Sequence, residues 1–76
     1  MTLTQLRHFI DLAQTCSFGA SAARLHITQP ALSRSIKALE EELGQLLFDR
    51  IGKKIELTAF GRMVLDRKST RLNSSH

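Results

Sequence analysis

The 76-residue chain has no long apolar run. The longest are Leu46-Leu47-Phe48 and Met63-Val64-Leu65, which excludes a transmembrane helix and a secretory core segment within it. Cysteine is nearly absent. With Cys16 alone no internal disulfide forms, and the stapled secreted miniproteins drop out. There is no glycine-rich phosphate loop and too little chain for a doubly wound cofactor fold. What is present reads as globular: 42% hydrophobic and 24% charged residues. The expectation is one small, mainly α intracellular domain, near the size where single domains fold alone only marginally and a partner chain helps.

Acidic residues are the minority, seven against eleven Lys+Arg, for a formal charge of +4. The excess is split. Residues 1–65 hold eight Lys+Arg and six Asp+Glu, and Asp66, Arg67, Lys68 and Arg71 supply the other +2. Overall charge is therefore a weak guide to a nucleic-acid partner, and the placement of the cations on the elements matters more.

Apolar residues Leu3, Leu6, Phe9, Ile10 and Ala13 recur at helical spacing and predict a helix over about 4–15. Thr2 and Gln5 fit a capping box. A short second helix over 18–25 follows Ser17 as N-cap, with Phe18, Ala22 and Leu25 on one face. Its small residues Gly19, Ala20, Ser21 and Ala23 permit a close helix crossing. Thr28 caps a third helix over 29–43, Pro30 sits in its first turn, and Gly44 stops it. On its wheel Leu32, Ile36, Leu39 and Leu43 share a band of about 60°. Gln29, Pro30, Ser33, Arg34 and Lys37 occupy the far side, toward the positive end of the helix dipole. Glu40, Glu41 and Glu42 crowd the other end. An anionic ligand would dock on the first half of this helix.

Beyond Gly44, residues 49–54 read as a tight turn with three cations, and Ile55-Glu56-Leu57-Thr58 alternates as a half-buried strand. Together they predict a hairpin with Arg50, Lys53 and Lys54 at its tip. Thr58 is placed to cap a fourth helix with Phe60, Met63 and Val64 on one side. Residues 66–76 are expected to be disordered, being polar, Ser-rich and without period.

Two short helices joined by three or four residues, the second with a polar face of Gln, Ser, Arg and Lys, describe a helix-turn-helix. Such a helix enters a major groove about 12 Å wide with its N-terminal side chains leading. Glutamine pairs two points of an adenine edge, arginine does so with guanine, and Ser33 suits a base or a phosphate. A basic hairpin beside it suits phosphates or the minor groove.

The set Leu6-Arg7-His8-Phe9, Ser17-Phe18, Ala22, Leu25, Thr28-Gln29-Pro30-Ala31-Leu32-Ser33-Arg34, Ile36, Leu39-Glu40-Glu41-Glu42-Leu43-Gly44, Leu47-Phe48-Asp49-Arg50 and Leu57-Thr58-Ala59-Phe60-Gly61 resembles the DNA-binding domain of LysR-type bacterial transcription regulators. The resemblance covers about residues 3–65. It implies a winged helix-turn-helix of three helices, a two-stranded wing and the start of a fourth helix through which the family dimerises. It also implies binding to inverted-repeat operators in the bacterial cytoplasm, and a separate C-terminal sensor domain for a small-molecule effector. Gln29, Pro30, Ser33 and Arg34 match the family's contacts to bases and nearby phosphates, and Lys37 points the same way. Arg50 and Thr58 match backbone contacts around the wing, and Lys53 a wing-tip position that reaches the minor groove.

Two positions depart from the family's pattern. Ala20 stands where many members carry a basic or polar residue, and Ser21 replaces a usual alanine. The pattern fades by about Asp66, and Arg67–His76 resembles translated vector or adapter sequence, so the chain is expected to be a regulator fragment with a non-native tail.

Other residues receive plainer readings. Arg24 is taken as a surface residue, and Glu40–Glu42 as a solvated helix end with local pairing to Lys37. Cys16 is taken as a small buried hydrophobe and His26 as a turn or packing residue. No metal site is expected: His8 and Asp11 are only two groups, and Cys16 has no histidine at ligand spacing. No catalytic set or cofactor is expected. The alternative function is a dimerising or protein-binding module of the same fold that does not read DNA sequence.

Overall fold

The computed structural model describes residues 2–52 and 54–68. Helix α1 (Leu3–Thr15) opens on the expected capping box. The Gln5 N–H donates to Thr2 Oγ1 at 3.1 Å, and the Thr2 N–H to Gln5 Oε1 at 3.2 Å. It closes at Cys16, whose φ of 54° is left-handed and whose N–H reaches the Leu12 carbonyl. Cys16 is exposed, which corrects its reading as a buried hydrophobe. As the cap that reverses the chain into the next helix, it cannot also point into the core.

Helix α2 (Phe18–Leu25) begins under the Ser17 side chain and ends at His26, also left-handed at φ 60°. His26 is thus a turn residue. The Ile27 N–H returns to the Ala22 carbonyl at 3.0 Å, which tightens the three-residue connection. Helix α3 (Gln29–Leu43) starts on Thr28 and ends at Gly44, φ 76°. Leu32, Ile36 and Leu39 are buried and pack with Phe9, Leu12 and Ala22. Phe9 meets Phe48 edge to face, ring centres 5.6 Å apart.

Polar groups tie the helices together. Ser21 is fully buried, and its hydroxyl donates to Asp11 Oδ1 at 2.9 Å. Arg24 Nε donates to the same carboxylate, 3.1 Å from Oδ2, with its side chain largely exposed. Ser21 is therefore a hydrogen-bonded member of the α1–α2 crossing. His8 Nδ1 lies 3.0 Å from Ser35 Oγ, joining α1 to α3.

Strands β1 (Phe48–Ile51) and β2 (Lys54–Leu57) form an antiparallel hairpin. The pairs are Phe48 with Leu57, Asp49 with Glu56, Arg50 with Ile55, and Ile51 with Lys54. Residues 49–51 were expected in the turn. They are strand: Ile51 pairs with Lys54, and Gly52 takes the left-handed φ of 64° that suits a tight reversal after it. Arg50 therefore stands back from the tip. With Phe48, Ile55 and Leu57 it shares the hairpin face turned toward the helices.

Glu40 is no simple solvated helix end. Its Oε2 accepts the Leu47 N–H at 2.8 Å and the Phe48 N–H at 3.2 Å, anchoring the entry to β1. The pairing expected for Lys37 is not formed: among the described residues no ion pair joins it to Glu41.

Helix α4 (Ala59–Lys68) starts on Thr58, whose hydroxyl accepts the Gly61 N–H at 2.9 Å and donates to the Leu46 carbonyl at 2.7 Å. A Cβ on Gly61 would run into the Leu47 carbonyl oxygen and sit 3.1 Å from Leu57 Cδ1, so only glycine permits this approach. Val64 is buried and Phe60 half-buried, but Met63 is exposed; the packed side of α4 is the i, i+4 pair, and Met63 lies off it. The helix also runs three residues past the expected boundary at 65. Asp66 there lies 3.8 Å from Arg62. The stretch 69–76, expected to be disordered, lies outside the described residues.

Candidate nucleic-acid interface

Burying Leu32, Ile36 and Leu39 turns the opposite face of α3 outward. Gln29, Pro30, Arg34 and Lys37 are exposed, and Ser33 is half-buried. Thr28 at the N-cap and Pro30 in the first turn set where this face begins. Arg34 and Lys37 make no ion pair among the described residues, so both charges remain available to a ligand.

The wing stands beside this face. An open cleft of about 580 Å³ is lined by Phe18, Gln29, Pro30, Ser33 and Arg50. A second, of about 380 Å³, runs between Ser33, Lys37 and Glu40 of α3 and Phe48, Arg50 and Ile55 of the hairpin. The Arg50 guanidinium carbon lies 5.6 Å from the centre of the Phe18 ring. The Gln29 side chain leans over the start of α2, its Nε2 3.5 Å from where a Cβ on Gly19 would sit.

The structure thus brings Gln29, Pro30, Ser33 and Arg50 to one cleft, with Arg34 and Lys37 on the same exposed helix face. Lys54 is exposed at the start of β2. Lys53 lies outside the described residues. Thr58 is placed differently from the others. Its hydroxyl proton goes to Leu46 and its N–H to the Leu47 carbonyl, so both of its donors serve the wing–α4 corner. Sequence reasoning missed two participants. Beyond their place among the family motifs, the sequence reads Phe18 as a core position of α2 and Glu40 as one of three equivalent acids. Neither has a local signal, because each acts on the hairpin across the fold. Among the described residues, no three His, Cys, Asp or Glu side chains gather as a metal site would require.

A family model described as "Bacterial regulatory helix-turn-helix protein, lysR family" matches residues 3–62. The chain belongs to the lysR family. Within that family it is 46% identical over 66 residues to the HTH-type transcriptional regulator TfdT of Cupriavidus pinatubonensis, covering 87% of this chain and 29% of that protein. It is 54% identical over 65 residues to the HTH-type transcriptional regulator IlvR of Caulobacter vibrioides, covering 86% of this chain and 22% of that one. The chain thus spans less than a third of either regulator.

Solved lysR-type structures superpose on nearly all of it. A CbnR_DBD–DNA complex matches with TM-score 0.86 and 39% identity, over 99% of this chain and 86% of that one. A BenM_DBD complex with catB site 1 DNA matches with TM-score 0.87 and 36% identity, over 97% of this chain and 83% of that one. Among the described residues, the four helices and two-stranded wing are the mainly α, winged helix-turn-helix architecture that the resemblance implied.

Proposed function

We propose that this lysR-family chain binds double-stranded DNA sequence-specifically, as the DNA-reading part of a transcription regulator. Helix α3 lies in the major groove. Gln29, Ser33 and Arg34 read base edges, and Pro30 packs at the leading end of the helix. Lys37 follows further along the groove, while Arg50, Lys53 and Lys54 hold phosphates or the minor groove. Thr58 acts through the wing–α4 corner. The observation that carries this reading is the polarity of α3: uncompensated donors on the exposed N-terminal half, and acids on the C-terminal half. The likeness to CbnR_DBD and BenM_DBD, both solved with DNA, supports it.

The chain works as a homodimer through α4 on an inverted-repeat operator, in the bacterial cytoplasm. Two copies of α3 then meet successive major grooves, about 34 Å apart. Among the described residues no helix is long and apolar enough to cross a membrane.

The test is a fluorescence-anisotropy titration against a pool of inverted-repeat duplexes at two salt concentrations, with the mass of the protein measured alongside. Salt-sensitive binding that selects a palindromic subset, by a protein of dimer mass, is expected. Selection by a monomer would remove the dimer. Absence of binding at either salt, by protein shown to be folded, would replace the DNA reading with that of a protein-interaction module.

A further inference from the structure

Phe18 opens α2 under the Ser17 cap and is half-buried, with part of its ring packed against the core. Together with Ser33 and Arg50 it lines both clefts between α3 and the wing, so the Phe18–Arg50 pair sits where the two clefts meet. Arg50 reaches it because strand register puts Arg50 on the hairpin's inward face opposite Ile55, while Asp49 and Glu56 pair on the outer face. Its guanidinium carbon is 5.6 Å from the ring centre, within the range where a cation is drawn to the ring's negative face. No carboxylate pairs with Arg50 among the described residues. A ring contact, unlike a salt bridge, leaves the planar fork of N–H donors available to an anion.

We propose that Phe18 is a positioning residue for DNA binding: its ring holds the Arg50 guanidinium at the rim of the cleft shared with Gln29, Pro30 and Ser33, so that a backbone phosphate beside α3 meets a cation already in place. The proposal rests on the DNA-binding reading above. Its physical content is entropic. A free arginine loses rotamer freedom when it grips a phosphate, and an arginine held beforehand loses less. Lys54 lies on the outer hairpin face, and among the described residues the cation seated over a ring is Arg50, so this pre-placement belongs to Arg50.

The test separates ring electrostatics from packing. Phenylalanines carrying one to three ring fluorines, introduced at position 18, keep the shape of the side chain while draining its negative face. They are expected to weaken duplex binding in graded steps, to about two- to fivefold in all, equally on operator and random sequence, with unchanged thermal melting. Phe18→Tyr should retain affinity and Phe18→Leu should lose it. In an Arg50→Gln background the fluorine series should be flat. A flat series with Arg50 present, or equal losses in both backgrounds, would overturn the positioning role while wild-type binding leaves the DNA reading standing. A wild-type chain that binds no duplex would overturn both.

Discussion

Helix α3 and the wing present their cations side by side, yet they are held by different means. The helix is a local object. Thr28 caps it, Gly44 ends it, and a stripe of Leu32, Ile36 and Leu39 sets which face looks outward. The wing is a borrowed one. A two-stranded hairpin alone is at best marginally stable in water. This one is tied by the Glu40 carboxylate at its entry, by the Phe18 ring under Arg50, and by Thr58 and Gly61 where α4 crosses Leu47. The exposed polar face of α3 is thus built by short-range signals, and the wing beside it by tertiary ones.

That contrast can be broken from the wing side first. Gly61→Ala forces a methyl against the Leu47 carbonyl and should cost about 3 kcal/mol of stability by overpacking, measured by urea unfolding. Glu40→Ala strands the Leu47 and Phe48 amides and should cost about 2 kcal/mol. Glu40→Gln, which keeps an acceptor, should recover much of that loss, and Glu41→Ala should be nearly neutral. Equal effects at positions 40 and 41 would show that the anchor is not specific.

From the helix side, Arg34→Ala should leave melting unchanged and lose about 1.5 kcal/mol of discrimination between operator and random DNA, and Gln29→Ala likewise. Equal losses on both DNAs would reduce Arg34 to a phosphate contact. The smallest change expected is from Lys54→Ala. It should weaken all duplexes evenly and lower the slope of log affinity against log salt by about 0.9. A loss confined to the operator would give the wing a share in reading sequence.

Legibility followed the same divide. The caps at Thr2, Ser17 and Thr28 and the stop at Gly44 were readable because each is set within about four residues of sequence. Arg50 was misplaced to the hairpin tip because a turn of two residues and one of six look alike until Gly52 shows its left-handed φ. Glu40, Glu41 and Glu42 are chemically identical, and only the path of the chain after Gly44 selects Glu40. Cys16 resembles a core residue by composition, but the reversal between α1 and α2 makes it a cap.

The sequence by itself determined three amphipathic helices, their limits, and a cation-bearing face on the third, because hydrophobic period and capping are short-range. The lysR-family motifs were legible for the same reason: they are runs of neighbouring residues. Tertiary structure alone decided the attitude of the wing, the hold on Arg50 and the reason for glycine at position 61. Those depend on groups that are distant in sequence and meet only when burial of one core draws α2, α3, the hairpin and α4 together.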